Sequence, residues 1–264
     1  MKPIGVFDSG IGGLTVVKEL MRQLPGEDIV YLGDTARLPY GTKSASTVIK
    51  FTLENILFLL KQGVKLIVIA CNTASSLALP VIRRHFRIPI IGVIQPGAKE
   101  AVYATKTKCV GVIGTTATIK SRAYEIEIRR IDPQIKVISQ ACPLFVPLVE
   151  EGWLNQSVTL SVAREYLAPF KKTHIDTLIL GCTHYPLLKA VIKKILGKNV
   201  TLIDSAKQVV EETKDVLYDE GLSKGGRACG KHIFYVTDEP EGFAHQAVRF
   251  LGYRLTSVKR IINV

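Results

Sequence analysis

The sequence lacks an apolar run long enough to cross a membrane. Its longest uncharged stretch, Leu66 to Ile82, is interrupted by Asn72, Thr73, Ser75, Ser76 and Pro80, whereas a spanning helix needs about 20 mostly apolar residues. No membrane partner is expected. Met1-Lys2-Pro3 leads straight into a strand-like run, so no secretory leader is expected either. The five cysteines include no Cys-x-x-Cys pair. That spacing speaks against a disulfide scaffold or a zinc knuckle, and no metal site is expected. Reduced thiols in a cytoplasmic protein are the expectation. Blocks of like charge are missing too. Lys and Arg number 35 against 23 Asp and Glu, a formal charge of +12. Yet the longest basic runs are pairs such as Arg83-Arg84, Lys171-Lys172 and Lys193-Lys194. Scattered charge of this kind reads as a solvated basic surface rather than a nucleic-acid footprint.

What is present is globular. Hydrophobic residues make up 47% of the 264 and charged residues 22%, which excludes a disordered chain. The length suits one large domain or two modest ones. Short apolar, β-branched runs predict strands at Ile4–Asp8, Ile29–Gly33, Leu66–Ala70, Ile90–Ile94, Val110–Gly114, Lys136–Ser139, Thr177–Leu180, Val200–Asp204 and Ile233–Val236. Their continuous apolar character is that of strands buried on both faces. Between them, helical spacing predicts helices at Gly13–Leu24, Ser44–Gln62, Asn155–Phe170, Tyr185–Leu196 and Ser205–Glu220. This alternation predicts an α/β fold with mostly parallel sheets.

The chain also echoes itself. Ile4-Gly5-Val6-Phe7-Asp8-Ser9-Gly10 is similar to Val110-Gly111-Val112-Ile113-Gly114-Thr115-Thr116. Leu66 to Thr73, ending Ala70-Cys71-Asn72-Thr73, is similar to Thr177 to Thr183, ending Gly181-Cys182-Thr183. The echoes occur in the same order at similar separations and predict two related α/β halves. Both end on small polar residues where a strand runs out, and open α/β sheets bind ligands outside the carboxyl ends of their strands. If the halves face each other, Asp8, Ser9, Cys71, Asn72, Thr73, Thr115, Thr118, Cys182, Thr183 and His184 converge on one cleft.

Cys71 and Cys182 each follow an apolar strand and precede a helix-like segment, a setting that favours a thiolate. Cys109 and Cys142 read as small buried hydrophobes. Cys229, in the Gly225–Gly230 stretch, reads as a loop thiol without a role. Two thiols flanking a small molecule make a two-base device: one removes a proton from carbon, and the other returns one to the opposite face. Asp8 and His184 are candidates to assist them. Taken alone, Asp8 also suits a helix N-cap and His184 a surface site. Gly10-Ile11-Gly12-Gly13 matches neither the dinucleotide pattern Gly-x-Gly-x-x-Gly nor the P-loop. At a helix start it could still hold a carboxylate. Spacing alone does not choose among glutamate, aspartate and a hydantoin.

Four motifs carry a specific resemblance. Gly5 to Gly10, Gly33-Asp34-Thr35-Ala36-Arg37-Leu38-Pro39-Tyr40-Gly41, Ala70-Cys71-Asn72-Thr73-Ala74 and Gly181-Cys182-Thr183-His184-Tyr185-Pro186 resemble, in order, the motifs of the glutamate racemases. The likeness extends through Ile203-Asp204-Ser205. It implies a cofactor-independent interconversion of L- and D-glutamate, the D-isomer feeding bacterial peptidoglycan. It implies that Cys71 handles the proton of D-glutamate and Cys182 that of L-glutamate, assisted by Asp8 and His184. Ser9, Tyr40, Gly41, Asn72, Thr73 and Thr183 would hold the substrate, with Thr115, Thr118 and Glu150 nearby. His184 after Thr183 resembles the glutamate enzymes, whereas the related aspartate racemases carry an acidic residue there.

The resemblance further implies two pseudo-symmetric α/β domains with the site in the cleft between them. One would comprise residues 1–97 plus 208–264 and the other 98–207, with Gln95-Pro96-Gly97 as a linker-like break. A homodimer is the family's usual state. Some glutamate racemases affect DNA gyrase, but no feature here supports a gyrase or nucleic-acid contact. Two alternatives remain open at this level: a sister racemase acting on another small acid, and a basic nucleic-acid-binding protein. A pyridoxal phosphate enzyme is disfavoured, because no strand-end motif supplies the Schiff-base lysine.

Overall fold

The computed structural model describes residues 2–224 and 229–261. The elements run β1 (Ile4–Asp8), α1 (Leu14–Gln23), β2 (Ile29–Gly33), α2 (Ala45–Lys61), β3 (Leu66–Ile69), α3 (Asn72–Leu77), α4 (Leu79–Ile82), β4 (Ile90–Gly92) and α5 (Ile94–Ala104). Then follow β5 (Cys109–Gly114), α6 (Thr116–Lys120), α7 (Ala123–Ile131), β6 (Lys136–Ala141), α8 (Phe145–Glu150), α9 (Ser157–Lys171), β7 (Thr177–Gly181), α10 (Lys189–Leu196) and β8 (Thr201–Asp204). The chain closes with α11 (Ser205–Asp219), β9 (His232–Val236), α12 (Pro240–Leu251) and β10 (Lys259–Arg260).

These strands form two wholly parallel sheets. The first has the order β10-β9-β2-β1-β3-β4 and the second β6-β5-β7-β8. The sequence echo is therefore topological: β2-β1-β3-β4 and β6-β5-β7-β8 repeat one winding, with β1 matched to β5 and β3 to β7. In such a winding the strand order reverses beside the first strand, which opens a crevice at the carboxyl ends of β1 and β3, and again of β5 and β7.

Alternation along the inner strands serves two cores at once. Ile4 and Val6 of β1 join one apolar cluster, while Phe7 joins another. The first cluster is shared by both sheets, since it also holds Leu178 and Leu180 of β7. The two edge strands of the second sheet depart from the expectation of double burial. β6 has no buried residue and β8 only Ile203, while β4, at the edge of the first sheet, is buried throughout.

Three further expectations are corrected. The strand expected through Ile94 ends at Gly92. Gln95-Pro96-Gly97 is not a linker but lies in the first turn of α5, with Pro96 and Gly97 buried. Proline is tolerated there because first-turn N–H groups have no helical partner to lose. The helix expected over Tyr185–Leu196 is a 3₁₀ turn, Tyr185–Leu188, followed by α10. β10 went unpredicted, as two charged residues at a sheet edge carry no apolar signal. The Gly225–Gly230 loop expectation falls mostly outside the described residues, although Cys229 is seen exposed. Among the described residues no helix is long and apolar enough to cross a membrane.

Candidate active site

Residues at strand ends act as helix caps, and this builds the site. After β3, Cys71 caps α3, its Sγ accepting from the Ala74 N–H at 3.5 Å. After β5, Thr115 caps α6, its hydroxyl accepting from the Thr118 N–H at 3.2 Å. A cap side chain must turn back over its own helix start, which aims both residues into the crevice. After β7, the chain passes through Cys182, Thr183 and His184 before the Tyr185–Leu188 turn.

The two crevices open onto a single cavity of about 310 Å³. Ser9, Tyr40, Gly41, Cys71, Asn72, Thr73, Thr115, Glu150, Cys182, Thr183 and His184 all line it. Asp8 and Thr118 do not. Both are buried one layer behind, Asp8 under Gly10 and Thr183, and Thr118 under Thr73 and Thr115. The halves are joined across the cavity by hydroxyls, with Thr73 Oγ1 2.9 Å from Thr115 Oγ1 and 3.2 Å from Thr118 Oγ1. Close backbone approach does the same. A Cβ on Gly41 would lie 2.6 Å from Cβ of Thr115, and one on Gly12 would lie 2.2 Å from Thr183 Oγ1. The glycine-rich loop thus serves packing against the second half, and its Gly10 N–H donates to Asp8 Oδ2 at 3.1 Å.

The two thiols have unlike surroundings. Cys71 is buried, with Sγ 3.6 Å from the Ser9 hydroxyl it donates to. Burial and then the nearby Asp8 carboxylate push its thiol up to about 12, against the Ala74 N–H and Ser9 hydroxyl, which favour the thiolate. Cys182 Sγ lies 3.8 Å from His184 Nδ1, and His184 Nε2 lies 3.0 Å from Glu150 Oε1. Burial opposes the imidazolium, but the bonds to Cys182 and Glu150 outweigh it and raise His184 to about 10. Arg249 of α12 in turn donates to the Glu150 carbonyl.

Asp8 is not hydrogen-bonded to Cys71; its carboxylate takes the Gly10 N–H at 3.1 Å and the Thr183 hydroxyl at 3.4 Å. Burial raises its pKa, with the His184 charge and these donors pulling the other way. Nor does it cap α1. The Tyr40 hydroxyl is also directed away from the cavity, bonded to buried Asp34 and, at 3.0 Å, to Asn55 Nδ2. Arg37 Nε donates to the same carboxylate at 2.8 Å. This network holds the Gly33–Gly41 motif as one rigid unit, so that Tyr40 and Gly41 meet the cavity with their remaining atoms.

Sequence reasoning missed Thr42, Thr116 and an apolar wall made of Pro143, Val146 and Pro147. The wall follows the end of β6, so the strand-end rule applied to that edge strand would have found its start. Cys109 and Cys142 are buried free thiols outside the cavity lining. Among the described residues no cluster of His, Cys, Asp or Glu is arranged to hold a metal.

The model of the Asp/Glu/Hydantoin racemase family matches residues 4–213. A glutamate racemase of Geobacter metallireducens is 48% identical over 98% of this chain and 96% of its own. A solved glutamate racemase isoform from Bacillus anthracis has a TM-score of 0.95 at 43% identity, covering 98% of this chain and 97% of that one. A glutamate racemase from Francisella tularensis, solved in complex with D-glutamate, has a TM-score of 0.93 at 44% identity, again covering 98% and 97%. Sequence and architecture agree along nearly the whole length, and the chain belongs to the Asp/Glu/Hydantoin racemase family.

Proposed function

We propose that this chain racemises glutamate without a cofactor, by two-base proton transfer between Cys71 and Cys182. One observation carries the reading: the two cysteines sit at equivalent strand ends of two matching halves and line one cavity. Glutamate is the substrate most in keeping with the relatives named above and with a lining of neutral hydroxyls and an amide. Ser9, Asn72, Thr73 and Thr183 offer donors to its carboxylates.

The resting charges favour one starting state. The His184 imidazolium, supported by Glu150, stands 3.8 Å from Cys182 Sγ and assigns that residue the part of base, while burial and Asp8 keep Cys71 a thiol. Cys182 then takes the α-proton of L-glutamate, leaving the pair of electrons on carbon. Cys71 gives its proton to the opposite face, which yields D-glutamate, a Cys182 thiol and a Cys71 thiolate. The reverse reaction starts from that second state. Cys71 then takes a proton from water and Cys182 gives one up to water, with no net change, which resets the first state. Each step asks for a base within hydrogen-bond reach of the moving proton. Asp8 acts on Cys71 through its field.

The same reading carries the remaining expectations. The domain limits, 1–97 with 208–264 and 98–207, have their crossings inside α5 and α11. A homodimer, a cytoplasmic location and a role in supplying D-glutamate for peptidoglycan belong with it. The decisive experiment incubates the purified protein with L- or D-glutamate in D₂O, without added cofactor. Loss of optical rotation with deuterium at the α-carbon is expected. No exchange with either enantiomer, or exchange only with aspartate, overturns the reading.

A further inference from the structure

We propose that Tyr124 is a positioning residue that fixes which end of the Asn72 amide faces the cavity. The inference rests on the reading that the cavity takes glutamate. The Tyr124 hydroxyl donates to Asn72 Oδ1 at 2.7 Å and lies 3.1 Å from the Ser205 hydroxyl oxygen. A phenol has one proton to give. With that proton on Asn72, the Ser205 hydroxyl must donate to the Tyr124 oxygen. The chain of donors then runs Ser205 to Tyr124 to Asn72, and it ends on the amide oxygen. The amide nitrogen turns the opposite way. It has no protein partner among the described residues, and Asn72 lines the cavity. Two N–H donors are thereby presented to an anionic ligand, where the amide oxygen would repel one.

Three separate segments meet at this hydroxyl. Asn72 begins α3 of the first half, Tyr124 belongs to α7 of the second, and Ser205 begins α11, where the chain returns. All three are nearly sealed from solvent, at 4%, 2% and 4% exposure, so water does not replace a missing partner. Packing leaves room for the ring and little else. A Cβ on Gly97 would lie 3.0 Å from the Ser205 hydroxyl and 3.3 Å from the Tyr124 ring, and one on Gly181 would lie 3.1 Å from that ring. Burial also raises the phenol far above its ordinary range, so it stays a donor wherever the enzyme works.

The test is a double-mutant cycle on the full-length protein, with Tyr124→Phe, Asn72→Ala and the pair, measured with both enantiomers of glutamate. Tyr124→Phe keeps the ring and removes only the proton donor. KM is expected to rise about tenfold in both directions, the worth of one hydrogen bond to a charged group. The change in kcat should be smaller, and its pH profile unchanged. In the Asn72→Ala background Tyr124→Phe should cost nothing further, because the residue acts through the amide. Should Tyr124→Phe fail to fold, Ser205→Ala reads the same chain of donors, with KM rising several-fold. An unchanged KM in a folded variant, or losses that multiply in the pair, overturns the proposal and leaves the racemase reading intact. A wild-type protein that leaves glutamate unchanged overturns that reading and takes this one with it.

Discussion

Sγ of Cys182 lies 3.8 Å from Nδ1 of His184, whereas Sγ of Cys71 is hydrogen-bonded to the Ser9 hydroxyl and the Ala74 N–H. The two thiols occupy equivalent places in the two halves but not equivalent environments. That asymmetry underlies the starting state proposed above, and it makes the following expectations specific.

On the two-thiol scheme both thiols should be required in both directions. Cys71→Ala and Cys182→Ala should each lower kcat for racemisation by at least about a thousandfold, the range associated with losing a general acid or base. Chiral chromatography of the glutamate pool checks this. A single variant with near-normal turnover would rule out the two-thiol scheme.

Glu150 supports the His184 charge from 3.0 Å. In Glu150→Gln the imidazolium loses that support, and the His184 pKa falls from about 10. Activity that needs the imidazolium is lost as pH rises through that value, so the basic limb of kcat/KM for L-glutamate should move to lower pH. The substrate's own ammonium group titrates alike for both proteins and cancels in the comparison. An unmoved limb would detach Glu150 from the mechanism.

Gly12 has no room for a side chain. An added Cβ would lie 2.2 Å from Thr183 Oγ1 and 2.6 Å from His184 Nδ1. Gly12→Ala should displace His184 and reduce kcat/KM about a hundredfold, as sub-ångström to ångström misplacement does. Circular dichroism should show the fold retained. A variant within twofold of the parent would mean that the loop yields instead.

Away from the cavity, Lys65 and Glu27 form a buried ion pair at 2.6 Å, with side chains 4% and 5% exposed. Lys65 Nζ also donates to the Leu222 carbonyl at 2.6 Å. Glu27→Gln strands a buried charge and should cost about 3 kcal/mol, lowering Tm by about 10 °C. Replacing both, as Lys65→Met with Glu27→Leu, should recover most of that loss by thermal melting. If the double variant melts no higher than the single one, the pair is not the cause.

The strand ladder was legible because buried parallel strands advertise themselves as continuous apolar runs, and β1, β2, β3, β5 and β7 follow the expected limits to within a residue. Legibility failed where a strand is very short or a proline serves two purposes. β10 is too short and too charged to signal, and Pro96 punctuates the sequence while sitting comfortably in the first turn of α5. Most candidate residues of the site were legible for a local reason as well: each lies just past the end of a strand, where parallel sheets expose their ligands.

By itself, then, the sequence determined the alternation of strands and helices in each half and the short polar segments at the strand ends, since periodicity and capping act over a few residues. Only the tertiary structure decided what those segments touch. It placed Asp8 behind the cavity wall, turned the Tyr40 hydroxyl to Asp34, brought Glu150 to His184 and set Tyr124 against Asn72. Each of those contacts joins residues whose meeting depends on how helices and sheets seat against one another over a shared core. Packing of that kind is fixed by side-chain shape summed over the whole interior, which no local pattern in a single chain records.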